Sequence, residues 1–115
     1  MSLNTSFATL NSLSDVSFIS GTDYTFKFQI NSQTGSPIDL STAVCKWYLA
    51  SYGTDYTIIR KTGSVIAAGL FSVLLGGIDT TSLSGKFVHQ PSITFSNGKT
   101  IYPAQGIITI LKGLI

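Results

Sequence analysis

Polar and apolar residues alternate one for one along Tyr24-Thr25-Phe26-Lys27-Phe28-Gln29-Ile30. Apolar side chains at every second position share one face of a pleated strand and cannot line one side of a helix. The same period returns at residues 44–49, where Cys45, Trp47 and Leu49 fall on one face and Val44, Lys46 and Tyr48 on the other. Lys46 marks its face as the outer one, so Trp47 points inward. The pattern predicts further strands over residues 16–19, 57–61, 65–67, 70–75 and 86–95, and a return strand from Thr100 that breaks at Pro103 and resumes at 106–111. The core predicted from this parity contains Phe26, Phe28, Ile30, Trp47, Leu49, Phe71, Val73, Phe87, Ile93, Ile108 and Ile110.

Turn residues punctuate the strands at short, even intervals. Ser96-Asn97-Gly98-Lys99 reads as a two-residue hairpin of type I′, because Asn-Gly tolerates positive φ. Pro91 cannot donate to a ladder, which places its strand at an edge or at a bulge. A single helical turn is predicted at residues 79–83, with Asp79 as N-cap and Gly85 as the stop. Many short strands with turn signals between them and no long helix describe an all-β, two-sheet antiparallel β-sandwich, immunoglobulin-like or a related Greek key. Residues 1–13 read as a flexible N-terminal arm and 14–115 as one domain.

Composition narrows the function classes. Only 10% of the 115 residues are charged, against about a quarter in ordinary domains, and glutamate is absent. So little charge suits a surface that meets neighbours. The net charge of +2, with Arg60-Lys61 the only adjacent basic pair, argues against nucleic acid as a partner. The most apolar stretch, residues 65–75, is broken by Gly69 and Ser72 and falls short of the ~20 residues of a membrane helix, so no membrane association is expected. The start of the chain has no basic, then apolar, pattern of a signal peptide, which implies synthesis without export. Cys45 is alone, reads as a buried and inert thiol, and excludes an intrachain disulfide.

Candidate chemistry is sparse. His89 is the only histidine and shares a face with Phe87 and Ile93, the setting of a hydrogen-bonded structural residue. No metal-ligand spacing, nucleophile elbow or phosphate loop is present, so no enzyme activity, catalytic residue, metal or cofactor is expected. The candidate ligand-binding residues are Tyr52, Tyr56 and Tyr102, which lie in or near loops where aromatic rings can stack on a sugar.

Several blocks together resemble a known family. They are Gly21-Thr22-Asp23-Tyr24-Thr25-Phe26, Ser36-Pro37-Ile38-Asp39-Leu40-Ser41, Val44-Cys45-Lys46-Trp47-Tyr48-Leu49, Gly69-Leu70-Phe71-Ser72-Val73, Asp79-Thr80-Thr81-Ser82-Leu83-Ser84-Gly85-Lys86-Phe87 and Pro103-Ala104-Gln105-Gly106-Ile107-Ile108-Thr109-Ile110. In this order they resemble the small immunoglobulin-like sandwich domains of bacteriophages and prophages, notably the N-terminal domain of phage baseplate upper proteins. The resemblance implies a virion structural protein, tail- or baseplate-associated, made in the bacterial host cytoplasm and located in the virion. Its implied partners are other virion proteins and further copies of itself in a homo-oligomer. Baseplate upper proteins continue into a receptor-binding module, whereas this chain stops at Ile115. The alternative function is a carbohydrate- or cell-surface-binding sandwich using the three tyrosines.

Overall fold

The alternation in the sequence is an alternation of burial in the fold. Phe26 and Phe28 are buried while Thr25, Lys27 and Gln29 between them are exposed. The computed structural model describes residues 11–13, 15–31, 35–54 and 56–113. It contains strands β1 (Asn11–Ser12), β2 (Val16–Ile19), β3 (Tyr24–Gln29), β4 (Val44–Ser51), β5 (Thr57–Thr62), β6 (Ser64–Ala67) and β7 (Leu70–Leu75). The helical turn α1 (Gly77–Thr80) and strands β8 (Gly85–Thr94), β9 (Thr100–Ile101) and β10 (Ala104–Leu111) follow.

The strands form two facing sheets. The larger runs β1-β10-β8-β4-β5, with β2 also on β10 and β9 on β8; the smaller runs β3-β7-β6. Every pairing is antiparallel except those of β1 and β2, which lie parallel to β10. This order is that of an immunoglobulin-like sandwich. The strands β3, β7 and β6 take the B, E and D positions, and β5, β4, β8 and β10 take C′, C, F and G. All eleven predicted core residues are buried, joined by Phe18, Leu40, Cys45, Leu75 and Ile101.

Local details depart from the sequence reading in three places and decide between its alternatives in a fourth. Asn11, Ser12 and Leu13, assigned to the arm, are hydrogen-bonded to the larger sheet, with Leu13 N donating to Gln105 O at 2.8 Å; residues 1–10 of that arm lie outside the described residues. The helical turn begins two residues early. Asp79 is inside it, and its carboxylate accepts the Gly76 N–H at 3.0 Å, which satisfies a free donor at the start of the turn. The hairpin after β8 is not type I′. Only Gly98 has positive φ (+88°), Phe95 N and Lys99 O close a three-residue loop, and the Asn97 side chain accepts the Lys99 N–H at 2.9 Å. Pro91 sits in an interior strand. It is tolerated because the neighbouring chain carries one extra residue between the pairs Ile101–Ile93 and Gly106–His89, so the ladder is interrupted beside it.

Turn chemistry follows the sequence elsewhere. Asp39 accepts the Ser41 N–H at 2.9 Å, and that bond lowers its carboxyl pKa. Lys61 of β5 reaches Asp79 of α1 at 2.9 Å, a partly exposed ion pair worth ~0–1 kcal/mol that links the helical turn to the larger sheet.

The N-terminal strap, β1 through β2, lies on β10 where a side chain is missing. A Cβ on Gly106 would stand 2.6 Å from Leu13 Cβ and 3.0 Å from His89 Nε2. Gly106→Ala is therefore expected to push the strap off β10 and destabilise the fold by about 1–3 kcal/mol. Urea denaturation checks this; an unchanged midpoint and slope would show that Leu13 is not packed there.

Candidate functional site

At the centre of the sandwich, β4 contributes Trp47 and β8 contributes His89, and both are almost fully buried. The indole Nε1–H of Trp47 donates to His89 Nδ1 at 2.9 Å, so the neutral imidazole carries its proton on Nε2. The Phe26 ring from β3 completes the stack, its centroid 5.1 Å from Trp47 and 5.2 Å from His89. In disulfide-bearing immunoglobulin domains the strand-C Trp packs on a B–F disulfide. Here Phe26 on the B strand and His89 on the F strand stand at that contact. Burial lowers the His89 pKa to about 4. The same desolvation raises the Cys45 thiol pKa, and with 2% exposure Cys45 is a core residue.

This pair has the geometry of a structural contact. The Nδ1 lone pair is taken by Trp47, and Nε2 is the buried side-chain atom without a partner among the described residues. Among those residues, no three His, Cys, Asp or Glu side chains gather as a metal-binding group.

The outer face of the larger sheet is different in kind. Tyr102, 52% exposed between β9 and β10, borders a shallow depression of 320 Å³. Its lining includes Tyr48, Arg60, Gln90 and Gln105. Arg60, Tyr48 and Gln90 are register partners across β5, β4 and β8, and Gln105 Nε2 extends the row by donating to Gln90 Oε1 at 3.3 Å. The row thus presents aromatic faces, amide donors and acceptors, and a guanidinium.

The three predicted tyrosines do not form one site. Tyr52 lines a second depression of 230 Å³ with Leu13, Asp15, Gln105 and Ile107, and its ring takes the Lys86 ammonium at 5.1 Å from the centroid. Gln105 is shared by both depressions. Tyr56 is 73% exposed and lines neither. Sequence reading missed Tyr48, Arg60, Gln90 and Gln105. Their outward parity was visible, but their alignment in one row depends on inter-strand register.

With this geometry in view, comparison with known proteins places the fold. No family model matches the chain, and no curated protein matches its sequence. Among solved structures it is similar to CopC from Methylosinus trichosporium OB3b, with a TM-score of 0.53 and 10% identity over 90% of this chain and 89% of that one. It is also similar to murine CRIg, with a TM-score of 0.48 and 12% identity over 91% of this chain and 97% of that one. The chain is an all-β, two-sheet antiparallel sandwich of immunoglobulin-like, Greek-key build. Nothing in these likenesses is particular to phage domains.

The buried imidazole makes stability depend on pH with a definite sign. Its folded pKa lies below the unfolded value of 6.5, so the unfolded chain takes up the proton first as pH falls. Stability is then complete above pH ~6.5 and falls by about 3 kcal/mol as pH drops towards 4. His89→Gln keeps an acceptor for Trp47 without the titration. Denaturation midpoints between pH 7 and pH 4 should fall more steeply for the native chain than for this variant; parallel curves would contradict the assignment.

Proposed function

We propose that this chain is a non-enzymatic interaction module that works by protein–protein assembly, as a tail- or baseplate-associated structural component of a phage or prophage virion. The observation that carries the assembly reading is the bare edge of the smaller sheet. In β6 all four residues are exposed, none is charged, and Val65 and Ile66 stand 41% and 51% exposed. Isolated proteins ordinarily blunt such an edge with lysine, proline or a covering loop, since its unpaired backbone groups invite another strand. The scarcity of charge and the order of the phage-like blocks support the virion setting.

A second reading is favoured by the Arg60–Tyr48–Gln90 row: recognition of a carbohydrate or other cell-surface ligand in the depression beside Tyr102. Aromatic faces next to planar amides suit a polyol better than an apolar ligand.

Light scattering across a concentration series separates the two. Assembly predicts a defined oligomeric mass that Ile66→Lys shifts towards monomer; a monomer at every concentration removes that reading. Ligand recognition predicts glycan-array signals that fall about tenfold, ~1.4 kcal/mol, in Tyr102→Ala and Arg60→Gln. An array without hits, or hits indifferent to both changes, removes the second.

A further inference from the structure

The other edge of the smaller sheet borders a cleft. Ile30 N donates to Gly69 O at 2.7 Å, and the register continues from Gln29–Leu70 to Tyr24–Leu75. In an antiparallel pair the bonded positions alternate, so the even residues of β3 face β7 with their backbone groups. Thr25, Lys27 and Gln29 therefore turn N–H and C=O away from β7, and β3 pairs with no other strand among the described residues. Beside this edge is a 190 Å³ cleft walled by Leu13 and Val16 of the strap and by β3, with Phe26, Phe28 and His89 at its floor. The unpartnered Nε2–H of His89 lies on the Leu13 side of the ring.

Edge groups spaced two residues apart, over a floor of aromatic rings, match an extended polypeptide. In the constant-type immunoglobulin sandwich strand A flanks strand B; here both N-terminal strands are on β10 instead. We propose that the cleft receives residues 1–10 of a second copy of this chain, laid along β3 as an added strand. This deepens the assembly reading and rests on it.

Two features of the sequence select that occupant. Residues 1–10 carry no charged side chain, and over residues 2–9 the two large apolar residues, Leu3 and Phe7, share one parity with Thr5 and Thr9. The strap and β3 are joined through residues 20–23 and run in opposite directions across the cleft, with Phe18 stacked on Tyr24 at 5.1 Å near the joined end. For residues 1–10 to lie along their own β3 the chain would have to reverse immediately before Asn11. Ala8-Thr9-Leu10 contains none of the usual turn formers. A strand donated forward to the next copy needs no reversal. Such a contact is heterologous, and repeated it gives a ring where its rotation closes and a filament where it does not.

The test uses the full chain. Lys27→Pro removes an N–H that points away from β7, so the sandwich should persist by circular dichroism while the oligomeric mass falls below that of the native chain. A synthetic peptide of residues 2–10, in excess, should likewise dissociate the native oligomer and shift the amide resonances of Thr25, Lys27 and Gln29 and the Nε2–H of His89. An oligomer untouched by the peptide and by a folded Lys27→Pro overturns the strand exchange while leaving the assembly reading standing. Should Lys27→Pro fail to fold, the peptide result decides. A native chain that is monomeric throughout overturns both.

Discussion

The hydrogen bond between Trp47 and His89 is the contact on which the two sheets converge. An indole buried in an apolar core must place its N–H on an acceptor or lose the desolvation energy of that group. The imidazole is the acceptor here, and its ring packs under Phe26 and Phe28 from the opposite sheet. One residue on β8 therefore joins β4 to its own sheet and meets β3 across the core. In related architectures a disulfide supplies this tie covalently; a chain with one cysteine has to supply it by packing and polarity. The arrangement holds only while His89 is neutral, which burial enforces.

From that centre outward the structure becomes less self-sufficient. The larger sheet gains the N-terminal strap, whose Leu13 closes over Gly106, and it presents a row of polar and aromatic side chains to solvent. The smaller sheet has three strands, and its two edges expose backbone groups of β3 on one side and the uncharged β6 on the other. Edges of this kind are stable when another chain completes them. The asymmetry between a filled centre and open edges is the physical basis for reading the protein as a part of something larger. The outer row beside Tyr102 offers a separate surface for a ligand, and the two uses do not compete for the same residues.

How much of this was legible in the chain differs by level. Strand positions and inward faces were, because a period of two survives in the sequence wherever one face is buried; Phe26, Phe28, Trp47 and Phe71 could be assigned to the core from parity alone. Turn identity was less so. Asn97-Gly98 announced a hairpin, yet the Asn97 side chain took the Lys99 amide and left positive φ to Gly98 alone, a choice between competing local bonds. The candidate site was legible only in pieces. Tyr102 was named, but Tyr56 does not line the depression, and Arg60, Tyr48 and Gln90 became neighbours through register.

The sequence by itself determined the class of architecture, the contents of the core and the scarcity of surface charge, since each depends on residue type and spacing along one strand. Only the tertiary structure decided that β1 and β2 join β10 in parallel, that Pro91 lies beside a bulge in an interior strand, and that His89 accepts from Trp47. Those are choices among partners far apart in the chain. They are settled by which pairing leaves the fewest buried polar groups unmet, a condition that no single segment carries.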